Sequence, residues 1–427
     1  MPTNRLSQFF GISSFGESHG AAIGILIDSP PPNLIFPYAA LKEALAARNV
    51  NTPYKTARKE SDDYEILSGV FEGKTTGLPL CIIVRNNDAR PGDYEAIKDV
   101  FRPGHADFSW YQKYHIYDYR GGGRASGRET LARVMASALL QELISPIEIE
   151  VISRQIGELS CTATDAPTHN PFHWQGDTAE LYRYLDEIKA AGDSVGGLLE
   201  LRARKVPAGL GDPVYEKLSA NIAKAMLSIP SVKGISFGSG MAFARLKGSE
   251  ANDQISETGF LSNHAGGING GISNGNDIVF QLIVRAVPSV SLPQKTIDKE
   301  GNPQSIEIKG RHDTCHIPRI IPVVKAMLQI TLADALAHQK LIHGEEQSLE
   351  DYRSSLDKLD EELMLLLYRR RQIVQAVKKY KQKHNLPPKD ALRETEIMKR
   401  IRVIAKELEL DPALAEAIMQ ELLKLSQ

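Results

Sequence analysis

The charge of this chain is unevenly spread, and the break near residue 345 limits what the chain can fold into. From Glu345 to Gln427 there are 16 Lys and Arg and 16 Asp and Glu in 83 residues, against 35 and 37 in the 344 residues before. About 39% of the later stretch is therefore charged, against about 21% of the earlier one. Both tryptophans, Trp110 and Trp174, precede the break. The join, His343-Gly344-Glu345-Glu346-Gln347, reads as a helix stop followed by a short polar linker. The expectation is one domain over 1–344 and a second, of another kind, over 345–427.

The bulk properties are those of a globular protein. The 427 residues suffice for two or three domains with a large core, and 42% of them are hydrophobic. Net charge is −2, so nothing global draws the chain to nucleic acid or to a membrane, and local basic clusters serve local ligands. Cys81, Cys161 and Cys315 are odd in number and widely spaced, which suits a reducing cytoplasm better than a disulfide framework. No apolar run approaches the length of a membrane span, and Met1-Pro2-Thr3-Asn4-Arg5 has no apolar signal core. A cytoplasmic protein is expected.

Before the break, short β-rich runs mix with helical stretches. Ala21 to Ile27, Leu78 to Val84, Gly197 to Arg202 and Ile278 to Val284 read as strands. Leu41 to Ala47, Glu129 to Ile144, Leu181 to Ala191, Val214 to Leu227 and Pro322 to His338 read as helices. Two glycine-rich stretches, Gly121 to Gly127 and Ala265 to Gly275, suggest an α/β or α+β domain with two glycine loops near one site.

Four motifs carry chemistry here. They are Gly16-Glu17-Ser18-His19-Gly20, Arg102-Pro103-Gly104-His105-Ala106-Asp107 with Gly121-Gly122-Gly123-Arg124-Ala125-Ser126-Gly127-Arg128, Asn263-His264-Ala265-Gly266-Gly267, and Gly310-Arg311-His312-Asp313-Thr314-Cys315. Glycine loops bring backbone N–H groups close to phosphate oxygens, arginines clamp phosphates and carboxylates, and histidine moves a proton near neutral pH. Taken singly, each is also an ordinary turn. No metal-ligand spacing joins the histidines, and neither a Walker A sequence nor a Rossmann fingerprint is present.

Together, and in this order, the motifs resemble the chorismate synthase family over nearly all of residues 1–340. Ile66 to Gly73 and Val206 to Gly211 agree as well. The resemblance implies an α+β fold, a β-α-β sandwich. It also implies anti-1,4-elimination of phosphate from 5-enolpyruvylshikimate 3-phosphate to give chorismate, with reduced FMN (FMNH2) as cofactor and no net redox change. By the same resemblance His19 is the general acid at the departing phosphate. His105 protonates or stabilises the reduced flavin, and Asp313 works with it in removing the ring proton. Arg48, Arg102, Ser126, Arg128 and Arg311 match the substrate-binding positions. Arg124, Ala125, Ser126, Pro230, Ser231, Gly270, Arg285, Ala286, Val287, Pro288, Ser289 and Arg311 match the FMN contacts. The chain departs from the family pattern in two places. Ala46 to Tyr54 keeps only Arg48 of two expected basic residues, with Lys55 as the nearest replacement, and Arg285-Ala286-Val287 stands where the family has Lys-Pro-Thr.

After the break three helices are expected, the first from about Ser348 to Lys383. Its apolar stripe is Leu349, Tyr352, Leu356, Leu359, Leu363, Leu366, Ile373, Val377 and Tyr380, with Arg370 in the missing place. Asp390 opens the second helix, and Asp411-Pro412 opens the third. Lys381 shares a face with Arg370, whereas Arg353 lies roughly 26 Å away along the helix. If the three act together, a second chain supplies Arg353. The pattern resembles the AroQ-class, all-α chorismate mutase family. That resemblance implies rearrangement of chorismate to prephenate without a cofactor, in intertwined dimers. Arg353, Arg370, Lys381 and Glu394 are the implied catalytic residues, with Asp390, Arg393 and Ser426 near the ligand. The family's last glutamine falls beyond Gln427. A bifunctional homotetramer holding two mutase pairs is expected, with an external reductase or chemical reductant supplying reduced flavin, since no NAD(P)H-oxidising domain is visible. The alternatives are an active synthase with a helical oligomerisation or regulatory tail, and a flavin- or phosphate-binding scaffold.

Overall fold

A computed structural model of the chain describes residues 4–50, 52–54, 62–87, 95, 97–162, 170–308, 313–343, 349–387, 391–407 and 410–424. It divides into two compact units, Met1–Glu346 and Gln347–Gln427.

The first unit is built on two five-stranded antiparallel sheets. One contains β1 (Arg5–Leu6), β2 (Ile12–Gly16), β3 (Ala22–Ile27), β4 (Tyr64–Ser68) and β7 (Leu80–Arg85), in the spatial order β1-β2-β3-β7-β4. The other contains β8 (Glu148–Ile156), β9 (Leu159–Ser160), β10 (Gly197–Arg204), β11 (Val232–Phe237) and β16 (Ile278–Val284), in the order β11-β16-β10-β8-β9. Four two-stranded hairpins complete the strands: β5 (Val70–Phe71) with β6 (Lys74–Thr75), β12 (Ile255–Ser256) with β13 (Gly259–Phe260), β14 (Ile268–Asn269) with β15 (Ile272–Ser273), and β17 (Gln294–Ile297) with β18 (Pro303–Ile306). The helices are α1 (Tyr38–Arg48), α2 (Asp107–Tyr114), α3 (Thr130–Leu140), α4 (Thr178–Ala190), α5 (Leu218–Leu227), the short α6 (Gly248–Ala251) and α7 (Ile317–His343).

Strand alternation decides which face of each sheet is covered. Ile23, Ile25 and Ile27 of β3, Leu199, Leu201 and Ala203 of β10, and Ile278, Phe280 and Leu282 of β16 are completely buried, one residue in two. They face helices. α3 packs on β2 and β3 of the first sheet, α7 on β8 and α5 on β11 of the second, and α1, α3, α5 and α7 pack on one another. The result is a β-α-β sandwich with the helices as its middle layer. α3 fits that place: ten of its 11 residues are buried, from Thr130 to Leu140 with Arg133 as the exception. α7 is long and apolar enough to cross a membrane by length and composition, but 61% of that window is buried against the rest of the protein. It is the central core helix.

Most elements fall close to their expected positions, and two differ for physical reasons. Val214 takes φ +69, so the chain turns there and α5 starts at Leu218 rather than Val214. α7 starts at Ile317, with Pro318 in its first turn where its missing N–H is no loss, and it runs through Pro322.

The second unit holds α8 (Leu349–Lys383), α9 (Ala391–Glu407) and α10 (Pro412–Lys424). Asp411 caps α10: its Oδ1 accepts from the Ala413 N–H at 2.9 Å. α9 and α10 pack together and share an Arg402–Glu416 ion pair. Arg370 Nη1 of α8 donates to the Leu422 carbonyl of α10 at 3.0 Å.

Candidate active site

The chemistry-bearing loops of the first unit all sit at ends of core elements. Gly16 to Gly20 joins β2 to β3, 101–106 leads into α2, 120–129 into α3, 285–290 follows β16, and 313–316 leads into α7. The core therefore fixes where each loop starts or ends.

The first junction is His19 against Gly121. Gly121 has φ +63, and a Cβ placed on it would lie 2.3 Å from His19 Cε1. Only glycine lets the ring lie there. Ser18, buried, holds the other side: its hydroxyl is 3.1 Å from His19 Nδ1 and 3.4 Å from the Arg120 and Gly121 carbonyls. The Ser18 N–H donates to the Gly123 carbonyl at 3.3 Å. Two motifs about a hundred residues apart are thus one structure.

The second junction is His105 against the segment after β16. Its Nδ1 donates to the Pro103 carbonyl at 3.1 Å, so the neutral ring accepts from the Ser289 hydroxyl at Nε2, at 3.0 Å. A Cβ on Gly104 would meet Arg285 Nη2 at 2.7 Å and Pro288 Cβ at 2.8 Å. Burial first, then the Arg102 guanidinium, push the His105 imidazolium down to about 4, with Arg285 adding to the effect. Arg102 is itself buried and grips Asp107 with two hydrogen bonds, 2.7 Å from Nε and 2.9 Å from Nη2. The same Nη2 would lie 3.7 Å from a Cβ on Gly122, which brings the guanidinium to the glycine loop.

Asp313 is the third element. It is buried, and its Oδ2 accepts from Arg319 Nη1 at 2.9 Å, across the first turn of α7. The neighbouring Thr314 N–H donates to the Tyr54 carbonyl at 3.0 Å. Tyr54 is buried beside Phe172 and Tyr182, and burial followed by Asp186 raises its phenol to about 12. The altered Arg48-to-Tyr54 stretch is thereby anchored at both ends, since Arg48, also buried, donates to the Gly127 carbonyl at 2.8 Å and to Thr130 Oγ1 at 3.3 Å.

The remaining positions divide. Arg128 is buried, donating to Asn86 Oδ1 at 2.7 Å and Asp62 Oδ1 at 3.2 Å, while Ser126 Oγ accepts from the Arg128 N–H. Arg124 turns toward β2, donating to Ser14 Oγ at 2.9 Å and Asn4 Oδ1 at 2.6 Å, and pairs with Glu129. Ala125 lies in the short 3-10 turn Gly123–Ala125. Pro230 and Ser231 reach the Arg285 segment through the Arg285 N–H, which donates to the Ser231 carbonyl at 2.9 Å. Ala286, Val287 and Pro288 complete that half-buried segment, with the Val287 carbonyl held by Ser194 Oγ at 2.6 Å. Arg311 lies outside the described residues.

The expected second glycine loop is placed differently. Gly270 is exposed at the tip of β14–β15, and the hairpin packs on the 207–218 region through Gly271, Leu210 and Leu218. A Cβ on Gly238 would lie 1.8 Å from the His264 carbonyl oxygen, and one on Gly267 2.5 Å from that of Asp277. These glycines are required by backbone lying on backbone. They do not share the contacts of the Gly121 loop.

In the second unit α8 is one continuous helix, so Arg353 and Arg370 stand about 26 Å apart in the same chain. Arg370 and Lys381 are half-buried on α8, and Glu394 is half-buried in the first turn of α9. Arg393 is exposed and pairs with Glu396 at 3.0 Å. Asp390 and Ser426 lie outside the described residues. The apolar seam is open: Leu356, Leu359, Leu363, Leu366, Ile373, Val377 and Tyr380 are all between 46% and 66% exposed. Among the described residues only Ala405 of this unit is a buried hydrophobe.

The family model for chorismate synthase matches residues 10–337. The chain belongs to the chorismate synthase family. A chorismate synthase of Syntrophus aciditrophicus is 45% identical over 352 residues, covering 80% of this chain and 99% of its own. A chorismate synthase of Roseiflexus castenholzii is 43% identical over 357 residues, covering 81% and 100%. A crystal structure of chorismate synthase matches with a TM-score of 0.61 at 28% identity, over 83% of this chain and 98% of that one. Residues 352–427 match the model for chorismate mutase type II. One chain thus carries a chorismate synthase domain and a chorismate mutase domain, and it is bifunctional.

The family membership raises whether this chorismate synthase site fits reduced FMN. The donor set does. Arg285 lies beside His105 and Ser289, with buried Arg102 close by, and the two guanidiniums suit an acceptor-rich anionic molecule. Sequence reasoning passed over Ser18, Asp107 and Arg319, the partners that orient His19, Arg102 and Asp313. The first two lie inside the motifs themselves and were readable as such. Arg319 becomes a neighbour of Asp313 only because the chain between them starts a helix.

Proposed function

We propose that the first domain eliminates phosphate from 5-enolpyruvylshikimate 3-phosphate to form chorismate, and that paired second domains rearrange chorismate to prephenate. The observation that carries the synthase reading is the seating of His19 on Gly121, His105 on Ser289 and Asp313 on Arg319 around loops rich in buried arginine.

The residues divide the work by chemistry. The departing phosphate gains charge, and His19 gives it a proton, with the ring held by Ser18. Arg48, Arg102, Ser126, Arg128 and Arg311 hold the phosphate and carboxylates. Asp313, oriented by Arg319, accepts the ring proton. Arg124, Ala125, Ser126, Pro230, Ser231, Arg285, Ala286, Val287, Pro288, Ser289 and Arg311 hold FMN. When bound, reduced FMN supplies an electron-rich ring that eases cleavage of the C–O bond without net redox change. His105 moves a proton at Nε2, the atom now facing Ser289. It is neutral in the free protein, and an anionic ligand offsets Arg102 and Arg285 and makes it basic enough to act.

For the mutase, Arg370, Lys381, Asp390, Arg393, Glu394 and Ser426 of one chain meet Arg353 of another. The arginines hold two carboxylates, and Lys381 with Glu394 stabilises the ether oxygen as its bond breaks. The open seam of α8 supports pairing, because a unit with so little buried apolar surface is not stable alone. A cytoplasmic homotetramer with two mutase pairs, fed by an external source of reduced flavin, completes the reading.

The test is anaerobic. Full-length chain with chemically reduced FMN is expected to release phosphate from 5-enolpyruvylshikimate 3-phosphate, and separately to convert chorismate to prephenate. No phosphate release with FMN bound would end the synthase reading; no prephenate would leave the helical domain as an oligomerisation module. His105→Ala is expected to cut synthase turnover by at least about 100-fold while FMN still binds.

A further inference from the structure

His316 is a buried histidine that the mechanism above leaves unused. It is the residue before α7, and its carbonyl accepts from the Arg319 and Ile320 N–H groups at 3.0 and 3.2 Å. Its side chain is buried, with the residue 8% exposed, and neither Nδ1 nor Nε2 has a hydrogen-bond partner among the described residues. Other histidines of the unit are engaged: His105 by Pro103 and Ser289, His173 by the Val151 carbonyl at 2.8 Å, and His264 by Ser239 Oγ at 2.9 Å. A buried donor and a buried acceptor left idle each forfeit the hydrogen bond that water gives them in the unfolded chain. A leucine would fill the same space without that cost.

The surroundings point to a ligand. The charged groups that act on the His316 ring are Asp313, Arg319 and Arg285. The Val195 N–H donates to the Thr314 carbonyl at 2.9 Å and the adjacent Ser194 hydroxyl donates to the Val287 carbonyl at 2.6 Å, so residues 194–195 tie the His316 segment to the Arg285–Ser289 segment. Burial, with Arg319 and Arg285, pushes His316 down to about 4 against the pull of Asp313, so the ring is neutral near pH 7. A neutral imidazole offers one N–H donor and one lone-pair acceptor. That pair suits a partner that also mixes donor and acceptor. The carboxylates and phosphate of the substrate present acceptors alone and are better served by arginine. The pyrimidine edge of a flavin alternates carbonyl oxygens with a ring N–H.

We infer that His316 is a cofactor contact, hydrogen-bonding the polar edge of the flavin ring when FMN lies against the Arg285–Ser289 segment. The inference rests on the reading that FMN binds this site, and the experiment separates the two. Full-length wild type, His316→Leu and His316→Gln are titrated with oxidised FMN, following quenching of its fluorescence, and their ligand-free thermal unfolding is measured. His316→Leu is expected to weaken FMN binding by about tenfold or more, with a ligand-free Tm equal to or above that of the wild type. His316→Gln, which keeps a donor and an acceptor, is expected to bind within about threefold of the wild type. Unchanged affinity in His316→Leu would overturn the inference. So would a leucine variant that unfolds at lower temperature or does not fold, because the ring would then have a structural partner in the free protein. Affinity in His316→Gln as weak as in the leucine variant would reject the donor–acceptor match. If the wild type itself binds no FMN, the cofactor reading falls and this inference with it.

Discussion

Gly121 decides more of the synthase site than its size suggests. With φ +63 and His19 where a Cβ would stand, it fixes both the turn and the ring. Gly121→Ala is expected to cost about 1–3 kcal/mol of stability and to reduce synthase turnover by about 100-fold through displacement of His19. Turnover unchanged in that variant would mean that the glycine does not set the position of His19. His105 and His316 set a pH dependence. Their ordinary value is 6.5, and each is pushed down to about 4 in the folded protein. Above pH 6.5 the ring is neutral in both states. As pH falls from 6.5 toward 4 the unfolded chain takes up protons that the folded chain refuses, so stability falls with pH by up to about 3 kcal/mol per ring. Thermal unfolding between pH 7 and pH 4 checks this; His105→Ala or His316→Leu should flatten the fall, and an unflattened curve would place its cause elsewhere. At this scale the sequence displayed His19, His105 and Asp313 as motif members. It gave no sign that His316 would be buried without a partner, because burial belongs to the sandwich.

Among the elements, strands were legible from short runs of β-branched and aromatic residues. Ile278 to Val284, apolar except for Gln281, is β16 with the bounds expected although only its burial alternates, and Gly197 to Arg202 lies within β10. α7 was only half legible. A stretch buried on nearly every side has no polar stripe to mark its ends, and Pro322 reads as a start although the helix runs through it. The stripe on α8 was legible, and its exposure from Leu356 to Tyr380 gives it a use. Leu363→Lys is expected to reduce mutase turnover at least tenfold while synthase turnover stays within about twofold, because a charge on an unpaired seam costs little alone and much in a pair. Mutase activity unchanged by Leu363→Lys would show that the seam is not the pairing surface.

For the molecule as a whole, the length of α8 carries the strongest expectation. Arg353 and Arg370 on one helix are too far apart to hold one small ligand, so Arg353→Ala should abolish mutase activity and spare the synthase. Co-expressed Arg353→Ala and Arg370→Ala chains should recover part of the activity, since a mixed pair keeps one intact site. Failure to recover would argue for sites built within one chain. The two-part organisation was legible from charge density alone, because a stretch in which about two residues in five are charged cannot bury a globular core. The motifs of the synthase domain were legible too, because a glycine that must turn and a histidine that must titrate are properties of residue type. What the tertiary structure decided was which motifs meet. His19 reached Gly121, and His105 reached Arg285 and Ser289, whereas the second glycine stretch went to the 207–218 region. Proximity across a hundred residues follows from how two sheets close over a layer of helices, and no local pattern of side chains encodes that closure.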